Sequence, residues 1–150
     1  MSRKKRHIKP LIYLASPYTA SNPFTRWRRR VQIGKIAAKL VGQGHIVYAP
    51  IAQNEVLCDY NPALRMRHNF WMQYDINIVK RCDEIWVAMM DGWRDSAGVR
   101  EEIRFGLKKR MKVKLLDPET FELFDYKDRT KVLRGNKNVR SVKILEATNG

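Results

Sequence analysis

Four short apolar runs, each cut off by turn residues and separated by stretches of helical period, constrain this chain more than anything else in it. They are Leu11 to Ala15 (LIYLA), His45 to Pro50 (HIVYAP), Glu84 to Met90 (EIWVAMM) and Val113 to Leu116. A brief continuous apolar run suits a strand buried on both faces, whereas a half-exposed strand alternates. Between the first two runs, Asn22 offers a helix N-cap and Pro23 a first helical residue. Phe24, Trp27, Val31, Ala38 and Val41 then recur at helical spacing until Gly42 and Gly44. Ile51 to Pro62 shows turn residues without a period and reads as a loop. A helical pattern from about Ala63 to Arg81 places Trp71, Tyr74, Ile78 and Cys82 on one stripe. A last helix runs from Val99 to Arg110 through Val99, Ile103 and Leu107. Strands alternating with helices imply right-handed crossovers and a mostly parallel sheet of four to five strands in a three-layer α/β sandwich.

One domain of about 10–117 follows, because 150 residues with 44% apolar content supply one core and not two. Residues 1–9 read as a disordered basic arm, since no apolar run precedes Leu11. Residues 118–150 read as a basic extension, with Ser141 to Leu145 as a candidate fifth strand. The net charge of +15 crowds into the first ten residues, the run Arg26 to Arg30 and the C-terminal stretch. Such a surplus points to phosphorylated ligands, or to nucleic acid held through the basic tails. No apolar run approaches a bilayer span, so no membrane partner is expected. Cys58 and Cys82 read as free thiols of a cytoplasmic protein.

In an open parallel sheet, ligands bind at the carboxyl ends of the strands. Chemistry is therefore expected in Ser16 to Asn22, in the loop after Pro50, and in Asp91 to Gly98. Glu102 falls early in the last helix, where the macrodipole is expected to keep a carboxylate ionised. At 100° per residue it points toward the sheet and Glu101 toward solvent. As a pair the two also read simply as helix-start acids. Asp75 lies on the inward stripe with Trp71 and Ile78, where an unpaired acid would be costly. An arginine or a helix N-terminus is its expected structural partner. Two inward acids suggest acid and base work. Ser16, Ser96 and the N–H groups near Gly98 would converge on an anion, although Ser96 also reads as an ordinary N-cap. Trp93 reads equally as a face for a planar ligand or as a plug. His7, His45 and His68 show no metal spacing, and neither a P-loop nor a dinucleotide fingerprint occurs, so no metal or cofactor is expected.

With Ile12 to Tyr18 (IYLASPY), an inward Asp75 and Ser96-Ala-Gly-Val-Arg-Glu-Glu102 in place, the chain resembles the nucleoside 2-deoxyribosyltransferase superfamily. That group includes 2'-deoxynucleoside 5'-monophosphate N-glycosidases. The likeness extends to short members carrying G-W-x-x-S-x-G-V-x-x-E, matched by Gly92, Trp93, Ser96, Gly98, Val99 and Glu102, and covers roughly residues 10–117. It implies a flavodoxin-like or Rossmann-like fold, with Glu102 as a nucleophile on C1' of the sugar and Asp75 as the acid serving the leaving base. It further implies substrate contacts by Tyr13, Ser16, Tyr18, Trp93, Ser96 and Gly98. Serine at 96, in place of the acid found in enzymes of free nucleosides, implies a 5'-monophosphate and water as acceptor. A base-exchanging transferase and a non-catalytic nucleotide or nucleic-acid binder are the rivals. Tyr18 departs from the pattern, standing where the monophosphate hydrolases place an arginine. Arg100 departs too, replacing a small residue on a side expected to face solvent. The resemblance alone implies a homodimer or larger homo-oligomer.

Overall fold

The computed structural model describes residues 8–128. Its five strands are β1 (Leu11–Ala15), β2 (Ile46–Tyr48), β3 (Glu84–Ala88), β4 (Lys112–Leu116) and β5 (Leu123–Asp125). They form one sheet in the order β2-β1-β3-β4-β5. The first four are parallel, with Tyr13 opposite Tyr48 and Ile85, and Val87 opposite Leu115. β5 runs antiparallel to β4. The helices are α1 (Pro23–Gly42), α2 (Pro50–Tyr60), α3 (His68–Val79) and α4 (Ala97–Lys108), with a 3-10 turn at Pro62–Met66. This is a flavodoxin-like three-layer α/β sandwich. The chain reverses its direction of travel across the sheet between β1 and β3, and crevices open at such reversals.

Period-two alternation along the central strands builds two cores. Ile12, Leu14, Trp86 and Ala88 face α1, whose Ile33, Ile36 and Leu40 cover them. Tyr13, Ala15, Ile85 and Val87 face α3 and α4 and meet Val79, Val99 and Ile103. Gly106 brings α4 close to the sheet: a Cβ there would lie 2.7 Å from Ile85 Cδ1 and 2.9 Å from Val113 Cγ2. That approach fixes the depth of Glu102, one turn earlier.

Several sequence expectations change here. α1 has the expected bounds, and Asn22 accepts from Phe24 N at 2.8 Å. Its buried face is nevertheless Ile33, Ile36 and Leu40, and the stripe of Phe24, Trp27 and Val41 is exposed. β2 is a half-exposed edge strand and not one buried on both faces. The stretch expected to be a loop is helix α2. Pro50 starts it and Gln53 Oε1 accepts from Ala49 N at 2.8 Å. Periodicity failed there because the buried face includes the polar residues Asn54 and Glu55. The helix expected from Ala63 begins only at His68, after the 3-10 turn. The fifth strand of the described residues lies at Leu123–Asp125, and Ser141 to Leu145 falls outside them.

Candidate active site

Tyr13 lies beneath Glu102 and presents no surface of its own to a ligand. The central strand β1 buries it completely, and its hydroxyl donates to Glu102 Oε1 at 2.7 Å. Glu102 descends from α4, which Ser96 caps by accepting from Val99 N at 3.3 Å. Its neighbour Glu101 is exposed and pairs with Arg104, so the two acids separate as the helical angle requires. Arg100 is exposed.

Glu102 sits in a recess, crowded by protein yet still partly accessible. Burial pushes its carboxyl from 4.5 up to about 8; the nearby charge of Asp75 adds to the rise and the Tyr13 hydrogen bond opposes it. The expectation that the helix-end dipole keeps Glu102 ionised is thus corrected. Lost solvation outweighs the helix-end dipole, which acts mainly within the first turn. Tyr13 in turn is held firmly neutral, by burial first and then by the charges of Glu102 and Asp75.

Asp75 comes from α3 and is brought together with Glu102. Its partner is neither an arginine nor a helix end: Asn54 Nδ2, from α2, donates to Asp75 Oδ1 at 2.9 Å. The Asn54 side-chain oxygen accepts from the Tyr48 hydroxyl at 3.0 Å. The amide is therefore oriented by Tyr48 and presents its N–H groups to the acid. Burial pushes Asp75 up to about 6, and the Asn54 hydrogen bond, which favours the charged form, opposes the rise; Glu102 is raised further because it is more deeply buried.

Ser16 follows β1 and is nearly buried, and its Oγ has no hydrogen-bond partner among the described residues. Gly98 leaves the first turn of α4 open, since a Cβ there would meet only Ser96 Oγ at 3.9 Å. Ser96 spends one lone pair on its cap and keeps its O–H to donate. Trp93 is a plug: it is 5% exposed within the α3/α4 core, so it offers no open ring face. Its indole Nε1 also has no partner among the described residues. Tyr18 is committed elsewhere. Burial, followed by a hydrogen bond to Glu55, raises its hydroxyl to about 12. Glu55 is buried and pairs with Arg65, which also reaches Asp59 at 2.6 Å.

Sequence reasoning missed Asn54 and Glu55 because it made α2 a loop, for which Pro50 with Gln53 was the available signal; Tyr48 was read only as part of a strand, and its role appears through its bond to Asn54. It also missed Arg29, hidden in a basic run. Its guanidinium donates to Thr19 O at 2.8 Å and to Asp91 O at 3.2 Å, tying the turn after β1 to the turn after β3. Gly92 beside it has φ +85°, and the guanidinium fills the space where a Cβ would go. Among the described residues, no three His, Cys, Asp or Glu side chains are grouped to hold a metal. Cys58 and Cys82 are free and buried, and no described helix is long and apolar enough to cross a membrane. A surface hollow of about 560 Å³ at Met66, Arg67, His68 and Phe70 contains neither acid.

Fold and site together define a class: a flavodoxin-like α/β protein with two inward carboxylates at the switch crevice of its sheet. The chain belongs to the DUF1937 family, described as a domain of unknown function, which matches residues 10–117. No curated protein matches it.

Proposed function

We propose that the protein hydrolyses the N-glycosidic bond of a nucleoside 5'-monophosphate, a deoxyribonucleotide by preference, through a covalent glycosyl-Glu102 intermediate. The observation that carries this reading is the 2.7 Å bond from the buried Tyr13 hydroxyl to Glu102 Oε1, with Asp75 facing the same recess. Tyr13 fixes one carboxylate oxygen and leaves Oε2 to attack. In the first step Oε2 bonds to C1', the C1'–N bond breaks, and its electron pair leaves with the base as Asp75 supplies the proton. In the second step a water gives its proton to Asp75 and its oxygen to C1', and Glu102 departs as a carboxylate. Splitting the displacement in two lowers each barrier. The products are free base and sugar 5'-phosphate.

Between about pH 6 and pH 8 the two carboxyls hold one proton between them, which is what the first step needs. Positive charge developing at C1' favours the arrangement with Glu102 ionised and the proton on Asp75. The unpartnered Ser16 Oγ, the Ser96 hydroxyl and the open N-terminus of α4 support a 5'-phosphate, because all three offer donors to an anion. Tyr18 brings no cation, which leaves phosphate recognition to these neutral donors.

The order of the two proton affinities favours a second reading. In it Glu102 keeps the proton and passes it to the base, while ionised Asp75 activates water directly, with no covalent intermediate.

Chromatographic detection of free base after incubation with each nucleotide and nucleoside tests the activity, and an added second base separates exchange from hydrolysis. Release from a monophosphate that Glu102→Ala abolishes supports the proposal. Equal release by that variant, or none from any substrate, refutes it. An assembly of several copies, expected from the resemblance, is part of the same proposal.

A further inference from the structure

Helix α1 carries an apolar stripe that the fold does not use. Phe24, Trp27, Val31 and Ala38 share one side of the helix, and Ile33, Ile36 and Leu40 occupy the opposite side, about 180° away. Phe24 is 60% exposed and Trp27 57%. Their rings stack on each other, with centroids 5.7 Å apart and planes 25° from parallel. Arg28 lies 5.9 Å over the Phe24 ring, and exposed Lys35 continues the stripe. The neighbouring cations are already engaged: Arg26 and Arg29 hold loop carbonyls, and Arg30 holds Asp59. Among the described residues no carboxylate pairs with Arg28 or Lys35. No Asp or Glu occurs within α1 itself, so the helix contributes only positive charge to this face.

We propose that this face of α1 binds single-stranded nucleic acid, with unpaired bases stacking on the Phe24–Trp27 platform and phosphates passing Arg28 and Lys35. Stacked aromatics beside cations are the chemistry that holds a strand without reading its sequence. A duplex hides its base faces from such a platform. A second copy of the chain fits poorly, because a two-fold contact would set Arg28 and Lys35 against their own like charges. An anionic bilayer also fits poorly, because the aliphatic part of the stripe is only Val31 and Ala38. The platform stands outside the Glu102 crevice, so this inference and the base-release reading can fail separately.

The test uses the full chain and a short fluorescein-labelled oligothymidylate, followed by anisotropy and tryptophan fluorescence. The wild type binds with quenching of tryptophan emission. Phe24→Ala with Trp27→Ala binds at least about tenfold more weakly. Arg28→Ala with Lys35→Ala lowers the slope of log affinity against log salt by about 1.4, roughly 0.7 for each phosphate contact removed. Both pairs keep the wild-type melting temperature and base release from free mononucleotides, since they alter exposed side chains only. The proposal is overturned if the wild type does not bind, or if the aromatic pair binds as tightly as wild type. The second result places binding in the basic tails. It is equally overturned if that pair loses only dimerisation in sedimentation, or only binding to anionic vesicles, while oligonucleotide affinity stands.

Discussion

Replacing Glu102 by Gln should stabilise the protein, and increasingly so as pH rises. Folded Glu102 keeps its proton up to about 8, whereas the unfolded chain releases it near 4.5. Between those values the folded state binds more protons, so this residue's contribution to stability falls as pH increases and levels off above about 8. At about 1.4 kcal/mol for each tenfold change, the whole interval corresponds to roughly 5 kcal/mol. Partial access of water to the recess reduces that, and roughly 2–4 kcal/mol is expected. Gln is neutral throughout, fills the same volume and still accepts from Tyr13. Urea unfolding of both proteins at about pH 4 and about pH 9 measures the difference. The two should be nearly equal in acid and well separated in base, with Gln the more stable. A difference that does not change with pH, or a Gln variant less stable at about pH 9, would refute the assignment of Glu102 to a desolvating recess.

Other consequences are as specific. Base release should follow a bell in kcat/KM, with limbs near about 6 and about 8, because activity needs one proton on the pair; a rate still rising above pH 9 would contradict it. Asn54→Leu removes the N–H that stabilises ionised Asp75, so the acid limb should move to higher pH and the basic limb much less. Gly106→Val forces α4 off the sheet against Ile85 and Val113, and should cost about 1–3 kcal/mol in urea unfolding along with activity. Gly92→Ala strains a φ of +85° and displaces Arg29, so it should lower kcat/KM while α4 keeps its capping bond.

How far the sequence could be read depended on whether apolar pattern and burial coincided. They coincide in β1 and β3, where unbroken apolar runs are the central strands, and in α4, where Glu102 and Glu101 part toward core and solvent. In α1 the pattern misled. Phe24 and Trp27 are apolar at helical spacing yet exposed, and periodicity alone cannot say which of two stripes packs inward. In α2 the reverse happened: Asn54 and Glu55 are polar yet buried, so a helix looked like a loop. The site was legible only in part, for the same reason. Glu102, Asp75 and Ser16 announce themselves as chemical groups at strand ends or on an inward face. The groups that tune them act through contacts that periodicity does not encode: Tyr48 orients Asn54 from the preceding strand, and Asn54 reaches Asp75 from a helix 21 residues away in sequence. The sign of the Glu102 shift was hidden as well, because dipole position is written in the sequence and desolvation is not.

A covalent bond between Glu102 and C1' can be trapped directly. A nucleoside 5'-monophosphate bearing fluorine at C2' in the arabino configuration withdraws charge from C1' and slows breakdown of the glycosyl-enzyme. Incubating the wild type with that analogue and recording the intact mass should show the addition of one fluorosugar phosphate, and peptide mapping should place it on Glu102. An adduct on Asp75, or none under conditions where the natural nucleotide loses its base, would contradict the account and favour direct attack by water.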